Sequence, residues 1–161
     1  MSSTIEARLA LLEDEREVLR TLHRYAHAVD YGDEDGWVDL FTDDGLFVSR
    51  TALDPAPVTR FAGHAELRGF IENHTRVPER LHKHMIVEPL IDVDGDTASA
   101  TSYLFVLMEH EDQPVIRVLG RYVDRLRRCA DGRWRFTERV AELDAFTKGL
   151  PALYGGRPAA A

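Results

Sequence analysis

Apolar side chains recur with the period of a helix along the first part of the chain. From Thr4 to about Val29 they follow one another mostly at steps of three and four residues. These apolar positions are Ile5, Leu9, Leu12, Leu19, Leu22, Tyr25, Ala26 and Val29. The spacing predicts an amphipathic helix that Thr4 caps at its start and Gly32 ends.

A second, shorter helix is predicted directly after the first. Asp33 is suited to cap it, and the turn sequence Asp43-Asp44-Gly45 follows it. The helix would contain Trp37, Leu40 and Phe41.

A strand is predicted to begin at Leu46 and to lead into the segment TALDPAPVTRF. The prolines of this segment lack an amide donor, so we interpret it as a loop and exclude a central strand. Gly63 to about Thr75 is predicted to form a third helix, whose inner face carries Leu67, Phe70 and Ile71.

The remaining residues follow the two-residue period of strands. Four strands are predicted: Leu81 to Ile91, Thr97 to Glu109, Val115 to Arg127 and Trp134 to Leu143. Asp94-Gly95 and Asp131-Gly132 are typical of hairpin turns, and the stretch from Glu111 to Pro114 is short and polar. Three helices followed by an antiparallel meander indicate an α+β domain, whose sheet encloses a pocket if it is strongly curved. We expect one domain over residues 1–145 and a C-terminal tail over 146–161 that is mobile or reaches a neighbouring subunit.

Composition and charge narrow the function classes. The chain has 161 residues, a net charge of −8 and a pI near 5.3, which argues against nucleic acid or an anionic membrane as a partner. Its single cysteine, Cys129, excludes an intramolecular disulfide and a cysteine-based zinc site. The sequence contains neither an apolar run of membrane-spanning length nor a signal-peptide pattern, so we expect a cytoplasmic protein.

Asp30 is the residue whose position most needs an explanation. It lies in the last turns of the apolar face of the first helix, where a carboxylate is costly unless it is hydrogen-bonded or used in chemistry. His84, near the start of a strand with bulky apolar residues, is its predicted partner. An aspartate that accepts a hydrogen bond from one imidazole nitrogen fixes the tautomer and raises the basicity of the other nitrogen. We therefore predict an Asp30–His84 catalytic dyad.

Other histidines leave alternatives open. His82 shares a strand face with His84, because residues two apart point the same way, and either could be the partner of Asp30. A His-x-His pair together with Asp30, Glu88 or His110 would also make a three-ligand metal site. We favour the metal-free dyad, because no second metal-binding cluster accompanies the pair. The remaining histidines, His23, His27, His64 and His74, lie on polar helix sides and are expected to be solvated.

Aromatic residues supply candidate walls for a substrate pocket. We predict that Tyr25, Trp37, Phe47, Tyr103 and Tyr122 line it together with His82. A phenol in an apolar pocket needs a hydrogen-bond partner, so Tyr25 or Tyr103 could bind a substrate carbonyl or enolate. For Arg117, in mid-strand, an outward side chain and a carboxylate anchor both remain open.

Five motifs in their order resemble the SnoaL-like branch of the nuclear transport factor two-like superfamily. They are Y-x-x-x-x-D at the end of a long helix, GDEDGWVDLFTDDGLF, a mid-chain histidine before a strand, VDGDTASATSY and DGRWRFTERV. The resemblance runs from about Glu6 to Leu143 and implies a cone-shaped barrel, with a curved antiparallel sheet and three helices around an apolar cavity. Similar members include scytalone dehydratase, bile acid dehydratases, a dehydrochlorinase, polyketide cyclases and small subunits of aromatic-ring dioxygenases. The helix aspartate and strand histidine of the lyase members fall on Asp30 and His84, whereas the asparagine often found four residues after that histidine is Glu88 here.

This resemblance implies a cofactor-independent lyase or isomerase of the dehydratase or cyclase type. Its substrate would be a small hydrophobic compound with a ring and a carbonyl group, and no cofactor or metal would be needed. The alternative is a non-catalytic ligand-binding module or a structural subunit. An apolar outer sheet surface also predicts a homo-oligomer, either a dimer or a trimer.

Overall fold

The computed structural model describes residues 4–76 and 80–146, apart from the side chains of residues 145 and 146. Its helices are α1 (Ile5–Tyr31), α2 (Glu34–Val38) and α3 (Gly63–Glu72). Its strands are β1 (Phe41–Thr51), β2 (Asp54–Ala62), β3 (His82–Asp94), β4 (Thr97–His110), β5 (Gln113–Arg128) and β6 (Trp134–Phe146). The predicted C-terminal tail lies outside the described residues except for its first residue, which ends β6. No helix in the described ranges is long and apolar enough to cross a membrane.

The long first helix is confirmed with both of its predicted ends. The side chain of Thr4 accepts a hydrogen bond from the amide of Ala7, and Gly32 ends the helix in a left-handed conformation with φ of 74°. The second half of α1 is buried on one side, whereas its first turns are exposed, with Leu12 still 61% accessible. Packing of α1 against β3 is what brings its last turn to the start of that strand.

The strands form one curved, unclosed sheet in the order β2-β1-β6-β5-β4-β3. Neighbouring strands are antiparallel except β1 and β6, which are parallel. The predicted α+β architecture is therefore confirmed, and its hairpin turns after β3 and β5 contain Gly95 and Gly132 in left-handed conformations.

Two predictions for the region between α2 and α3 are wrong. The proline-bearing segment is strand β2, which pairs only with β1 among the described strands, and an edge strand tolerates prolines because one side of it needs no donors. Strand β1 begins at Phe41 rather than at Leu46, so α2 is shorter than predicted. The turn-like residues Asp43-Asp44-Gly45 instead form an irregularity within β1, where the register against β6 shifts. Two strands therefore precede the third helix.

A buried ion pair crosses the interior between β5 and β6. Arg139 and Asp124 are 0% and 1% exposed, and Nε and Nη2 of the arginine each lie 3.0 Å from a carboxylate oxygen. The guanidinium carbon also stacks on the rings of Tyr122, Tyr25 and Phe136, at 3.8, 4.0 and 4.4 Å from their centroids. No sequence pattern singled out this pair.

Candidate active site

Asp30 and His84 meet in the interior, where α1 packs on β3. Nδ1 of His84 lies 2.7 Å from Oδ1 of Asp30, and the backbone amide of His84 lies 3.1 and 3.2 Å from the two carboxylate oxygens. The two residues are 3% and 9% exposed. A carboxylate can only accept, so Nδ1 of His84 carries the proton in this bond, and in the neutral imidazole Nε2 then has the lone pair.

The loop after α1 holds Asp30 in this position. A Cβ atom at Gly32 would lie 2.4 Å from Cδ of Arg76, so the left-handed end of the helix also needs the small residue for space. The buried Arg76 side chain in turn pairs with Glu34 and donates to the carbonyl oxygen of Ile71 at 2.8 Å. The end of α1 is thus fixed against α2 and α3.

His82 also approaches Asp30, but at a longer distance. Its Nε2 atom is 3.5 Å from Oδ1 of Asp30 and makes no hydrogen bond to the described residues. Burial, followed by the neighbouring His84, lowers the pKa of His82 to about 4, while Asp30 acts in the opposite direction. His82 does not line the cavity described below, so the predicted contact with substrate has no support from its position.

His74 corrects the prediction that it is solvated. It is 4% exposed, and its ring lies 5.6 Å from that of His84 and 5.4 Å from that of His82. Burial lowers the pKa of His74 to about 3. The signal was present in the sequence, because His74 follows Phe70 by four residues and so falls on the inner face of the helix predicted from Gly63 to about Thr75. Among the other helix histidines, His23 and His27 are exposed as predicted and His64 is partly exposed.

An apolar cavity of about 120 Å³ opens beside His84. It is lined by Tyr25, Phe47, Ser49, Val58, Thr59, Phe70, His74, His84, Leu104, Val106, Val118, Tyr122, Ala141 and Leu143. The predicted residues Tyr25, Phe47 and Tyr122 therefore lie at the cavity. Trp37 does not: its buried ring packs against Tyr25, Phe41, Phe47 and Phe70 and belongs to the core behind the wall.

Tyr103 lies outside the cavity, which corrects its predicted role. It is 55% exposed on the outer face of β4, whereas its neighbours Ser102 and Leu104 point inward. Because strand residues alternate between faces, Tyr103 has no access to a substrate bound inside.

Tyr25 and Tyr122 are the tyrosines that line the cavity. Burial raises the pKa of Tyr25 to about 12 and the pKa of Tyr122 well above its usual value, while the Arg139 guanidinium acts in the opposite direction on both. Both phenols therefore stay protonated at neutral pH. They also hydrogen-bond to each other, so one hydroxyl proton of the pair remains available for a bond into the cavity.

Glu88 and Arg117 contribute no charge to the cavity wall. Glu88 is exposed at a register shift in β3, where its φ of 52° marks a bulge. Arg117 is half-buried in β5 and is not among the lining residues. A second acid near the dyad, which Glu88 suggested, is thus not found at this cavity.

The donor atoms needed for a metal site are nevertheless close together. Potential ligand atoms of Asp30, His82 and His84 all lie within 4.8 Å of one another. Neutral imidazoles and a carboxylate are suitable ligands for zinc. The metal alternative therefore remains testable beside the dyad.

Acid should destabilise the fold through the buried histidines. The folded-state pKa of His74 is about 3 against an ordinary value of 6.5, so below pH 6.5 the unfolded chain binds a proton that the folded chain does not. The free energy of unfolding should fall as pH falls from 6.5 towards 3. His74→Phe should reduce that slope by up to about 1.4 kcal/mol per pH unit, measured by urea unfolding at about pH 7, 6 and 5. His23→Phe is the exposed control, and an unchanged slope in His74→Phe would contradict burial of a neutral His74.

Comparisons with known proteins agree on the family and the fold. The model of the SnoaL-like domain matches residues 10–140. A variant of Rv3472, a protein of unknown function from Mycobacterium tuberculosis, is 26% identical, with 84% of this chain and 74% of that chain covered and a TM-score of 0.73. ActVI-ORFA from Streptomyces coelicolor is 25% identical over 81% and 96% of the two chains, with a TM-score of 0.69. The beta subunit of a putative aromatic-ring-hydroxylating dioxygenase from Novosphingobium aromaticivorans is 22% identical over 86% and 94%, with a TM-score of 0.72. A search of curated proteins returned no significant match.

Proposed function

The chain belongs to the SnoaL-like domain family, and from that premise we propose that it is a cofactor-independent lyase or isomerase acting on a small hydrophobic ring compound with a carbonyl group. The observation that carries the proposal is the 2.7 Å bond between Nδ1 of His84 and Asp30 at the wall of an apolar cavity. The buried carboxylate of Asp30 accepts hydrogen bonds from both the backbone amide and Nδ1 of His84. The bond from Nδ1 holds the imidazole in one tautomer.

The dyad would act as the base on a carbon next to the carbonyl. Nε2 of His84 takes the proton, and the electron pair of the C–H bond moves towards the carbonyl oxygen to form an enolate. Asp30 stabilises the imidazolium that results, and a phenol of Tyr25 or Tyr122 donates a hydrogen bond to the enolate oxygen.

The same enolate leads to one of three outcomes. Return of the proton from His84 to another carbon gives an isomerase, and where the enolate carbon instead attacks a second carbonyl carbon of the substrate to close a ring, transfer of that proton to the new alkoxide oxygen gives a cyclase. If a hydroxyl group stands on the next carbon, the enolate expels it, the proton of His84 joins it, and water leaves. All three routes balance without an oxidant, a reductant or a cofactor.

The surroundings of His84 favour its role as a base. His74 and His82 are neutral at neutral pH, because their pKa values are lowered to about 3 and about 4. No positive charge on these two rings therefore opposes the imidazolium that forms on His84. The apolar lining also strengthens the interaction with Asp30, because the local dielectric constant is low.

Deuterium exchange tests the proposed function even while the product is unidentified. The protein is incubated in deuterated buffer with hydroxylated monocyclic, polyketide, steroid and terpenoid carbonyl compounds, and label at the α carbon is followed by mass spectrometry. At least one class should exchange faster than in buffer, and Asp30→Asn should lose that excess. Binding of a compound without exchange would favour the alternative of a non-catalytic module.

The non-catalytic alternative rests on weaker support. Similarity to the dioxygenase beta subunit is 22% in sequence and bears on the fold alone. Exposure of Asp30 or of both histidines would have favoured it, but Asp30 is 3% exposed and His84 lines the cavity.

Chelation distinguishes the dyad from a metal centre. If Asp30 and His84 act as an acid–base pair, activity should be unchanged after exhaustive dialysis against EDTA and 1,10-phenanthroline. Stoichiometric zinc in the purified protein, lost together with activity and restored with it, would instead assign Asp30, His82 and His84 to a metal site.

A homo-oligomer through the outer sheet face is the second part of the proposal. Met85, Tyr103, Ile116 and Leu119 are 37% to 55% exposed on β3, β4 and β5. The paired positions Met85–Phe105 and Phe105–Leu119 make this surface continuous across the three strands. Light scattering should show a dimer or trimer of the 18.3 kDa chain.

Charges placed on this face should prevent the assembly. Tyr103→Lys combined with Leu119→Lys should give monomers, because the new charges would be buried in the interface. Leu53→Lys, at a turn residue that is 99% exposed, is the control and should leave the oligomer intact. A wild-type monomer at all concentrations would refute the assembly.

A further inference from the structure

We infer that the cavity takes up a single ring of its substrate, the ring that reacts. We infer also that His74 determines specificity by accepting a hydrogen bond from a hydroxyl group on that ring. The inference rests on the proposed function, because it names the class of compound that the same site would take. His74 was not selected by the sequence patterns and has no part in the dyad.

The hydrogen bond of His74 to the backbone fixes which of its ring nitrogens is free. Nδ1 lies 2.8 Å from the carbonyl oxygen of Thr75, and a carbonyl oxygen can only accept. Nδ1 therefore carries the proton. Burial keeps the ring neutral at neutral pH, with a pKa of about 3, so Nε2 holds a lone pair and no proton.

His74, which carries the free nitrogen Nε2, lies in the cavity wall next to the proposed base, His84. His74 and His84 both line the cavity, and their ring centroids are 5.6 Å apart. His74 also packs edge-on against Phe70, with the centroids 5.5 Å apart, so its ring orientation is set by the core. A rigid acceptor beside the base can position a substrate rather than merely solvate it.

The polar side chains of the cavity wall differ in the hydrogen bonds that they can make with a substrate. Tyr25 and Tyr122 are protonated phenols that hydrogen-bond to each other and keep one proton for a carbonyl oxygen, and the hydroxyl groups of Ser49 and Thr59 are paired with each other at 2.6 Å. Neutral His74, in contrast, can offer only an acceptor at Nε2. A carbonyl placed against His74 would face a second lone pair. The substrate should therefore direct its carbonyl towards the phenols and a hydroxyl towards His74.

The cavity volume limits how much of the substrate enters. A volume of about 120 Å³ is somewhat smaller than the roughly 150 Å³ apolar cavity that is known to take up benzene. This space therefore takes up at most one six-membered ring. Further rings of a larger substrate would have to remain at the mouth of the cavity.

Paired probes of equal shape test the role of His74. The compounds are 3′-hydroxyacetophenone and 3′-methylacetophenone, which differ only in a hydroxyl or a methyl group on the ring. Their Kd values are measured by isothermal titration calorimetry with wild type, His74→Phe and His74→Gln. The preference for the hydroxy compound should fall about three- to tenfold in His74→Phe, which keeps the ring but not the acceptor.

His74→Gln separates the acceptor from a structural role. Both substitutions remove the imidazole bond to Thr75, but the glutamine amide oxygen can replace Nε2 as an acceptor. It should therefore recover much of the preference. Phe47→Leu changes a lining residue that has no polar atom, so it should alter both affinities and leave their ratio unchanged.

Each outcome bears on a different claim. An equal preference in wild type and His74→Phe would overturn the role of His74, and failure of wild type to bind either probe at millimolar concentration would overturn the one-ring cavity. If the preference is found but deuterium exchange is not, the binding inference stands and the proposed lyase or isomerase function fails.

Discussion

His84→Ala should lower kcat by about 10²–10⁴-fold with little change in KM, because positioned proton transfer is felt in the transition state rather than in ground-state binding. The 2.7 Å bond to Asp30 marks His84 as the residue whose second nitrogen is available as the base. Rates of deuterium exchange or product formation on the substrate found in the exchange screen provide the measurement.

Asp30→Asn should also lower kcat, although it leaves the base, His84, in place. The amide keeps the size of the side chain but loses the charge that supports the imidazolium, and its nitrogen cannot accept from His84. Its fold should be little affected, because the remaining oxygen can still accept one bond and a buried carboxylate is itself costly.

The double variant decides whether the two residues act as one unit. With Asp30→Asn and His84→Ala combined, activity should be hardly lower than with His84→Ala alone. His27→Ala, at an exposed position of the same helix, should retain wild-type activity. Full turnover in either single variant, or losses that simply multiply, would show that Asp30 and His84 are not a catalytic pair.

Arg139→Met should destabilise the protein by about 3–5 kcal/mol at neutral pH, because it leaves the Asp124 carboxylate buried without its partner. Both residues are fully enclosed and joined by two 3.0 Å hydrogen bonds. The free energy of unfolding in urea, compared with wild type at the same pH, measures this cost. Asp124→Leu should also lower the free energy of unfolding, because it leaves the Arg139 guanidinium buried without its carboxylate partner.

Replacing both partners should restore most of the stability. Asp124→Leu with Arg139→Met removes two buried charges at once, and such exchanges are often neutral or stabilising. The matched control is Arg125→Met, on the same pair of strands, whose exposed contact with Glu138 at 3.6 Å should be worth less than about 1 kcal/mol.

The dependence on pH gives this prediction a second readout. Burial already raises the pKa of Asp124 to about 6, and loss of Arg139 should raise it further. An acid whose folded pKa lies above its unfolded value loses stability as pH rises between the two values. The loss in free energy of unfolding that Arg139→Met causes relative to wild type should therefore be smaller at about pH 5 than at about pH 8. A deficit that is small and independent of pH would mean that Asp124 is not held in an apolar interior.

Local periodicity was sufficient to predict much of the site. The helical repeat placed Asp30 on the inward side of α1, and the two-residue repeat put His82 and His84 on one face of β3. Both conclusions needed only neighbours within a few residues. Edge position, in contrast, could not be read from the prolines of β2, because it depends on which strands a segment lies between.

The sequence by itself determined which faces of α1 and β3 carry polar groups, together with both ends of α1 and the hairpin turns. Only the tertiary structure decided that His84 rather than His82 bonds to Asp30, because that depends on the register of α1 against β3. It also decided that Tyr103 points outward, since the apolar residues Leu104 and Phe105 occupy both faces of β4 and leave the phase of the alternation open. The Arg139–Asp124 pair depends on the register across β5 and β6, with its shift after Arg125. Register between elements and the bulges that change it are set by packing at a distance, and no local pattern encodes them.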